Sequence, residues 1–305
     1  MRSLSLRCRS AAAALAALLL CGTALAQAPP EPRGPPPPGY GDAYAGKKKV
    51  LVIGDLHTGN QNAHDALSHA IATIEQLGRS SGAYVSFLRT DTQWITKDEV
   101  WGMGDYAKGG PRQARGRNLD SFDAVVFYTN GETEMTAVQK QALLAYVRDE
   151  GKGFVAIHTA NIPYPSWQDY ARMISANWDN HPWGIVEARL RVERPDFPGL
   201  AALPRSFMAR DEFYQYTAPF TRDDVDVLVS IDTSSVDLTN RNVHRADHDF
   251  PQVWAKRYGK GRVFSSALGH TDASWDDPNV QRIVLEGIKW AIGSSSYEPK
   301  PHAAP

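Results

Sequence analysis

Two histidines in this chain each end a short apolar segment that has the composition of a buried strand. His158 follows Gly153-Phe154-Val155-Ala156-Ile157, and His270 ends the segment that begins at Gly259. The carboxyl ends of the strands in a parallel sheet line the crevice where ligands bind. Imidazole exchanges protons near neutral pH and also binds metal ions. We therefore predict that both histidines share one site of acid–base or metal chemistry; the alternative is a pair of rim histidines held by backbone groups.

An acidic pair beside aromatic residues adds candidate carboxylates. Asp211 and Glu212 are followed directly by Phe213 and Tyr214. Aromatic surroundings raise the proton affinity of a carboxylate, which suits general acid–base work. A solvated surface turn is the alternative interpretation of this segment.

Loops after other predicted elements supply further polar candidates. Asp55, His57 and His64 follow the first predicted strand, at the position where loops of this kind contact ligands. His181 and Trp183 flank Pro182, which restricts the shape of their loop. We predict catalytic roles for His158, Glu212 and His270, substrate-binding roles for Asp55, His57, His64, His181, Trp183, Asp211 and Tyr214, and His158, His181, Glu212 and His270 as candidate metal ligands.

The segment from His244 to Asp249 also contains two histidines and two aspartates, as a metal site would. It lies in a polar insertion without apolar periodicity. A solvated charged loop is therefore the favoured interpretation.

Several common catalytic motifs are absent from the sequence. No serine follows a predicted strand in the glycine-flanked setting of a nucleophile elbow, and no glycine-rich segment ends in Gly-Lys-Ser or Gly-Lys-Thr. The spacing between Gly54 and Gly59 is wrong for a dinucleotide-binding loop. These absences argue against a nucleotide cofactor and leave a divalent metal, zinc or a similar ion, as the cofactor to consider.

The first 26 residues have the three parts of a secretory signal peptide. Three arginines precede an apolar run over residues 11–20, and Ala24-Leu25-Ala26 forms a small-residue cleavage site. Cleavage there would remove Cys8 and Cys21, both cysteines of the chain, and with them thiol catalysis. We expect a periplasmic or secreted protein with no membrane span after cleavage.

Charge and aromatic content bear on the partner. A formal net charge of −1 over 305 residues predicts no strongly basic face for a nucleic acid. Tryptophan rings near the predicted strand ends suit the C–H faces of sugars, although a large core uses tryptophan too. The expected partner is a small-molecule carbohydrate, and the oligomeric state stays open, a homo-oligomer included.

The apolar pattern divides the chain into four parts: a signal peptide (1–26), a proline-rich linker (27–46), one domain (47–293) and a disordered tail (294–305). In the first half of the domain, strands at 50–54, 124–128 and 154–157, together with a weaker, more alternating strand at 84–88, alternate with helices. Residues 90–119 form a long loop. Such alternation predicts a parallel, doubly wound α/β sheet.

The pattern changes after Trp183. Strands are predicted at 185–192, 225–231, 252–257 and 262–266, the last two joined by a hairpin turn, and a final helix runs from the N-cap Asp277 to Gly293. This half therefore adds antiparallel strands to the edge of the sheet.

Several segments, in this order, resemble the ThuA-like family, which is named for trehalose utilisation. The most specific is Tyr258 to His270 (YGKGRVFSSALGH). The others are Lys49-Val50-Leu51-Val52 with His64, Gly151 to Ala160 (GKGFVAIHTA), His181-Pro182, Asp211-Glu212 with Tyr214, Pro251-Gln252-Val253-Trp254, and Trp290-Ala291-Ile292-Gly293. The resemblance covers about Lys47 to Gly293. Residues 175–180 depart from the glycine-rich segment of the family.

The resemblance implies a fold similar to class I glutamine amidotransferases, a flavodoxin-like three-layer α/β/α sandwich. In those enzymes the elbow carries a cysteine; the matching position here is His158, which excludes glutamine hydrolysis through a thioester. The resemblance also implies carbohydrate metabolism, with an enzyme acting on 3-keto glycosides through His/Glu acid–base or metal-assisted chemistry. The alternative is a non-catalytic carbohydrate-binding or scaffold protein on the same fold.

Overall fold

The computed structural model describes residues 44–54, 64–129, 135–162 and 166–305. The predicted signal peptide and most of the predicted linker lie outside these ranges, as do Asp55 and His57. Within the described ranges, no helix is both long enough and apolar enough to cross a membrane.

Strands and helices alternate through the first half of the described chain. The strands are β1 (Lys49–Ile53), β2 (Val85–Arg89), β3 (Ala124–Phe127), β4 (Gly153–Ile157), β5 (Trp178–Asn180), β6 (Ile185–Val192), β7 (Ser206–Glu212), β8 (Gln215–Tyr216), β9 (Asp226–Ile231), β10 (Pro251–Tyr258) and β11 (Gly261–Ser266). The helices are α1 (Leu67–Ser81), α2 (Ala137–Arg148), α3 (Gln168–Ile174), α4 (Asp272–Asp276) and α5 (Pro278–Ala291).

One nine-stranded sheet has the order β2-β1-β3-β4-β11-β10-β9-β6-β7. Neighbouring strands are parallel from β2 to β11 and antiparallel from β11 to β7. Strands β5 and β8 form a separate antiparallel pair. This sheet confirms the predicted flavodoxin-like α/β fold, with a mostly parallel first half and antiparallel strands added by the second.

Helices cover both faces of the parallel half, which makes three layers. Alternate residues of each strand point to opposite faces and so enter different cores. One core joins α1 and α5 to Val50, Val52, Val155 and Ile157, and the other joins α2 and α3 to Leu51, Ile53, Phe154 and Ala156. Burial on both faces explains why these strands are continuous apolar runs in the sequence.

The end of β7 meets the backbone that leaves β11. Strands β4, β11 and β7 all run in the same direction, so Ile157, Ser266 and Glu212 end at one edge. In a flat sheet β7 would lie about 19 Å from β11, four strand spacings away. Yet the Asp211 carboxylate accepts a hydrogen bond from Gly269 N at 2.7 Å. The backbone that follows Ser266 therefore reaches the end of β7.

The α2 helix begins at a capping box of Thr136 and Gln139, a pair that the sequence pattern also predicts. Helical spacing in the sequence predicts a buried stripe of Val138, Ala142, Ala145 and Tyr146, whereas the buried residues are Leu143, Leu144, Tyr146 and Val147. Val138, in the first turn, is 67% exposed. The two leucines rotate the buried face because they offer more apolar area than alanine.

The C-terminal residues 294–305 have no regular secondary structure, but they pack on the domain, which differs from the predicted disorder. Tyr297 donates a hydrogen bond to the buried carboxylate of Asp226 at 2.5 Å, and Lys300 N donates to the same oxygen at 2.8 Å. His302 contacts Glu193 at 2.8 Å. Buried carboxylates need hydrogen-bond partners, and the tail supplies them. Asp226 and Glu193 therefore hold the tail against the domain.

We expect Tyr297→Phe to lower the free energy of unfolding by about 1–3 kcal/mol, because it leaves the buried Asp226 carboxylate without its hydroxyl donor. Urea denaturation measures the loss. The control is Tyr106→Phe, whose ring is 48% exposed. Equal stability of the two variants would contradict the docking of the tail.

Candidate functional site

His158 occupies a sharp corner between β4 and a 3₁₀ turn. Its φ is +47°, a region that residues other than glycine seldom adopt. The ring is fully buried, and Nδ1 lies 2.6 Å from the carbonyl oxygen of Ala267. Since a carbonyl only accepts, Nδ1 carries the proton and Nε2 presents its lone pair. Asn161 supports the corner by donating to Ser266 O at 2.8 Å.

His270 is placed by the backbone that leaves β11. Gly269 has a φ of +117°, and a Cβ there would lie 3.1 Å from the Trp275 ring. The carbonyl of Gly269 accepts hydrogen bonds from Tyr128 Oη at 2.8 Å and Trp275 Nε1 at 2.9 Å. The turn is therefore fixed on both sides, and glycine is required for it.

The end of β7 supplies Glu212 and is tied to the end of β11 by Asp211. The Asp211 carboxylate, which is fully buried, accepts from Glu212 N at 2.9 Å, Gly269 N at 2.7 Å and His270 N at 3.0 Å. Burial raises the pKa of Asp211 to about 6, and the three N–H groups limit that rise. Asp211 thus positions Glu212 and His270. Its side chain is predicted to contact substrate but lies in the interior, facing the backbone of these residues.

His64 enters from the loop before α1, where its carbonyl accepts from Leu67 N at 3.1 Å. Its ring stands edge-on to two other imidazoles, with centroids 4.9 Å from His158 and 4.7 Å from His270. Sequence reasoning placed His64 at the start of the first helix and among substrate-binding residues. The structure places it with the candidate metal ligands.

Four side chains, from His64, His158, Glu212 and His270, each present one nitrogen or oxygen atom to a common point, and all four atoms lie within 4.8 Å of one another. From His158 Nε2 the distances are 3.0 Å to His270 Nδ1, 3.3 Å to His64 Nε2 and 3.8 Å to Glu212 Oε2. His270 Nδ1 lies 3.2 Å from Glu212 Oε2. Ligand atoms about 2.1 Å from a tetrahedral zinc ion are about 3.4 Å apart, so the cluster has the spacing of such a site.

Hydrogen bonds alone do not account for the crowding at His158 Nε2. This atom has one lone pair, but Tyr214 Oη lies 2.9 Å away and two imidazole nitrogens lie within 3.3 Å. A cation at the common point would instead be bound by the lone pairs of all three imidazoles and by the carboxylate. The donor set of three nitrogens and one oxygen suits zinc or a similar ion.

The local electrostatics keep two of the imidazoles neutral, as metal ligands must be. Burial, with the neighbouring His64, holds the pKa of His158 well below its usual value. Burial, with the neighbouring His270, lowers the pKa of His64 to about 4. The hydrogen bond to Glu212 raises the pKa of His270. Burial opposes ionisation of Glu212, but the hydrogen bond from His270 and the nearby histidines lower its pKa on balance.

A sequence model of one family, described as "Trehalose utilisation", matches residues 49–291. The chain belongs to the ThuA family. The match spans almost the whole predicted domain of residues 47–293. It also confirms the family that the sequence of Tyr258 to His270 and the accompanying segments resembles.

Solved structures with this fold include two ThuA-like proteins. One from Bacteroides uniformis is 21% identical, with a TM-score of 0.61, and the alignment covers 83% of this chain and 95% of that one. One from Parabacteroides merdae is 18% identical, with a TM-score of 0.59 and coverages of 81% and 91%. At such identities the likeness concerns the fold alone. No functionally curated protein matches the chain.

His181 and Tyr214 flank the cluster of this ThuA domain. His181 Nδ1 lies 3.6 Å from Glu212 Oε1, beyond hydrogen-bond length, and its side chain is 45% exposed. The four converging ligands do not include it, although it was a candidate metal ligand. The Tyr214 ring is fully buried and stacks on His158 with centroids 4.8 Å apart. The Tyr214 hydroxyl therefore contacts the cluster from the protein interior, while His181 lies at its solvent-exposed side, called the mouth of the cluster below.

Other predicted site residues lie elsewhere. Trp183 packs on Phe250 with centroids 5.1 Å apart and donates to Asp237 O at 2.9 Å, and none of its described contacts is with the cluster. Asp55 and His57 fall outside the described residues. His244, in the segment read as a charged loop, pairs with Asp179 at 2.8 Å.

We expect Asp211→Asn to lower the free energy of unfolding by about 1–3 kcal/mol, because the amide NH₂ would face a backbone N–H donor in the interior. Chemical denaturation measures this change. Asp105→Asn, on an exposed turn, is the control and should stay within about 0.5 kcal/mol of the parent. If Asp211→Asn matches the control, the carboxylate is not what joins β7 to β11.

Proposed function

We propose that this ThuA-family protein is a metal-dependent enzyme of carbohydrate metabolism that acts on 3-keto glycosides. The observation that carries the proposal is the convergence of three imidazoles and one carboxylate on a point where His158 Nε2 has more polar neighbours than its lone pair can serve. The family's description, "Trehalose utilisation", supports carbohydrate metabolism.

The reaction that fits these residues is an elimination beside a ketone. A bound divalent ion would supply positive charge to the ketone oxygen and stabilise an enolate there. His64, His158, Glu212 and His270 would hold that ion. They are then unavailable as bases, and among the residues that the structure describes His181, beside Glu212, is the candidate base.

His181 is suited to move the proton. If its Nδ1–H faces Glu212, Nε2 is unprotonated and open to the substrate. It takes the proton from the carbon between the ketone and the glycosidic carbon, and the electron pair enters the enolate. Expulsion of the glycosidic oxygen then breaks the C–O bond, and the protonated His181 returns its proton to that oxygen. Atoms and charge balance without a further reactant.

Metal content is the direct test of the cluster. We expect the purified protein to bind one equivalent of zinc or a similar divalent ion, and His158→Gln or Glu212→Gln to reduce that content to background, because each removes a ligand from a site of four. Elemental analysis and calorimetric titration with Zn²⁺ measure this. His69→Gln is the matched control, since His69 sits in a surface pair with Asp276 at 2.9 Å.

A folded His158→Gln variant, verified by circular dichroism, that still retains a full equivalent would overturn the site. So would a parent protein that binds no divalent ion.

Turnover tests the role of His181. We expect His181→Ala to reduce kcat on a 3-keto glycoside by about 10²–10⁴-fold, the usual contribution of a general base, with metal content unchanged. Release of the aglycone measures the rate, and His69→Ala should equal the parent. A parent that binds these sugars without ever releasing the aglycone would favour the non-catalytic binding protein instead.

A further inference from the structure

The long loop over residues 90–119 contributes no residue to the metal cluster, yet its own hydrogen bonds order it. Gly102 N donates to Ala114 O at 3.0 Å and Gly116 N donates to Val100 O at 2.8 Å, so two stretches of the loop lie side by side. The loop and the segment that leads into β3 line a cleft of about 630 Å³. Small-molecule sites usually have volumes of about 300–1,000 Å³. The cleft therefore has the size of a ligand site.

Arg117, one of the residues that line this cleft, has a guanidinium held by aromatic rings. Its Cζ lies over the Phe87 ring, 4.4 Å from the centroid, and 5.8 Å from the centroid of Tyr44. Among the described residues, no carboxylate forms an ion pair with Arg117. A guanidinium stacked by its face keeps its N–H groups available, because they point outward in the plane of the group. Arg117 is therefore held in place while its hydrogen-bond donors stay free.

Three other residues of the lining offer further donors: Trp94, Arg115 and Ser121. Neither the indole N–H of Trp94 nor the hydroxyl of Ser121 has a hydrogen-bond partner in the part of the chain that the structure describes. The Arg115 side chain is 62% exposed, and its guanidinium lies 3.5 Å from Glu99, which is long for a hydrogen bond. The lining is therefore rich in donors that lack an acceptor.

The acidic groups at the cleft already have cationic partners. Asp120, the acidic residue of the lining, forms an ion pair with Lys97, which also contacts Glu150 at 2.9 Å. Glu99 accepts a hydrogen bond from Lys108 at 2.9 Å, closer than its contact with Arg115. None of these ion pairs involves Arg117, whose charge therefore stays unmatched. An unmatched guanidinium among free donors suits an oxyanion.

The cleft lies at the opposite edge of the sheet from the metal cluster. Residues 119–121 lead into β3, and Glu150 leads into β4, so both segments precede the amino ends of parallel strands. Lys97 joins these two segments through its ion pairs. His158 and His270, in contrast, follow the carboxyl ends of β4 and β11. A ligand in the cleft would therefore occupy a separate site.

We propose that this cleft is a second binding site, which takes a small molecule that carries a carboxylate or phosphate group. The Arg117 guanidinium donates two parallel N–H groups to two oxygens of the anion, a geometry that both oxyanions match. Arg115 adds a second positive charge, and the Trp94 indole and the Ser121 hydroxyl donate to the rest of the ligand. This site does not depend on the chemistry proposed for the metal cluster.

Binding of anionic and neutral sugars tests the cleft. The probes are glucose 6-phosphate, glucuronate and neutral glucose, titrated calorimetrically against the full chain with its metal content held constant. We expect both anionic sugars to bind about tenfold or more tightly than glucose, because they add charge-assisted hydrogen bonds. The tighter of the two identifies the preferred oxyanion, and either order supports the proposal.

Substitution of Arg117 locates the binding. Arg117→Gln should weaken binding of the anionic sugars about tenfold or more, and Arg117→Lys should weaken it less, since lysine keeps the charge but not the planar pair of donors. Anions bound at the metal cluster would not respond to either variant. Arg112→Gln is the matched control, because Arg112 is exposed on the same loop but lies outside the lining, and this variant should bind as the parent does.

The proposal is overturned if glucose 6-phosphate and glucuronate bind no more tightly than glucose. It is equally overturned if Arg117→Gln, shown by circular dichroism to be folded, binds them as the parent does. Equal losses in Arg112→Gln and Arg117→Gln would also overturn it, since they would indicate attraction to the overall charge of the loop instead of a built site.

Discussion

The Asp211 carboxylate is the contact on which the arrangement of the site depends. It accepts three backbone N–H groups, from Glu212 on its own strand and from Gly269 and His270 beyond β11. Those strands are four places apart in the sheet. A fully buried carboxylate must be hydrogen-bonded. Here one donor comes from the end of β7 and the other two come from the segment that follows β11. These three hydrogen bonds hold the end of β7 against the segment that follows β11, and so place Glu212 beside His270.

Around this contact, backbone groups orient two of the four candidate ligands. Ala267 O fixes the tautomer of His158, and the carbonyl of Gly269, just before His270, accepts hydrogen bonds from Tyr128 and Trp275. Metal ligands that are oriented by such outer contacts bind an ion without having to reorganise. The β5–β8 pair has a similar support, since the buried Gln215 makes hydrogen bonds with Asp179 and His244.

Much of the fold could be predicted from the sequence because burial on both faces leaves a direct signal. Strands β1, β3 and β4 are continuous, buried apolar runs, and the final helix has both its N-cap and its terminating glycine. Strand β7 gave no such signal, since its residues alternate between exposed and buried, and the arginine and acidic residues at its end resemble a surface turn. The tail was expected to be disordered because its partners, Asp226 and Glu193, are remote in sequence and invisible to local pattern.

For the candidate site, strand-end position correctly brought His158, Glu212 and His270 together, but it could not distinguish ligands from their supports. Asp211 and Glu212 are adjacent and chemically alike, yet one points into the interior and the other to the cluster, because successive strand residues face opposite sides. The pairing of β5 with β8, which brings Trp178 opposite Tyr216, also left no signal, because no periodicity in so short a segment reveals it.

The corner at His158 has a further implication for how this fold changes its chemistry. Its positive φ is a property of the main chain, set by β4, the turn behind it and the hydrogen bonds of Asn161, rather than of the imidazole. A different side chain at that corner would point in the same direction, toward His64, Glu212 and His270, with the strain already borne by its surroundings. The type of side chain at position 158 can therefore change in principle, while the backbone that orients it stays the same.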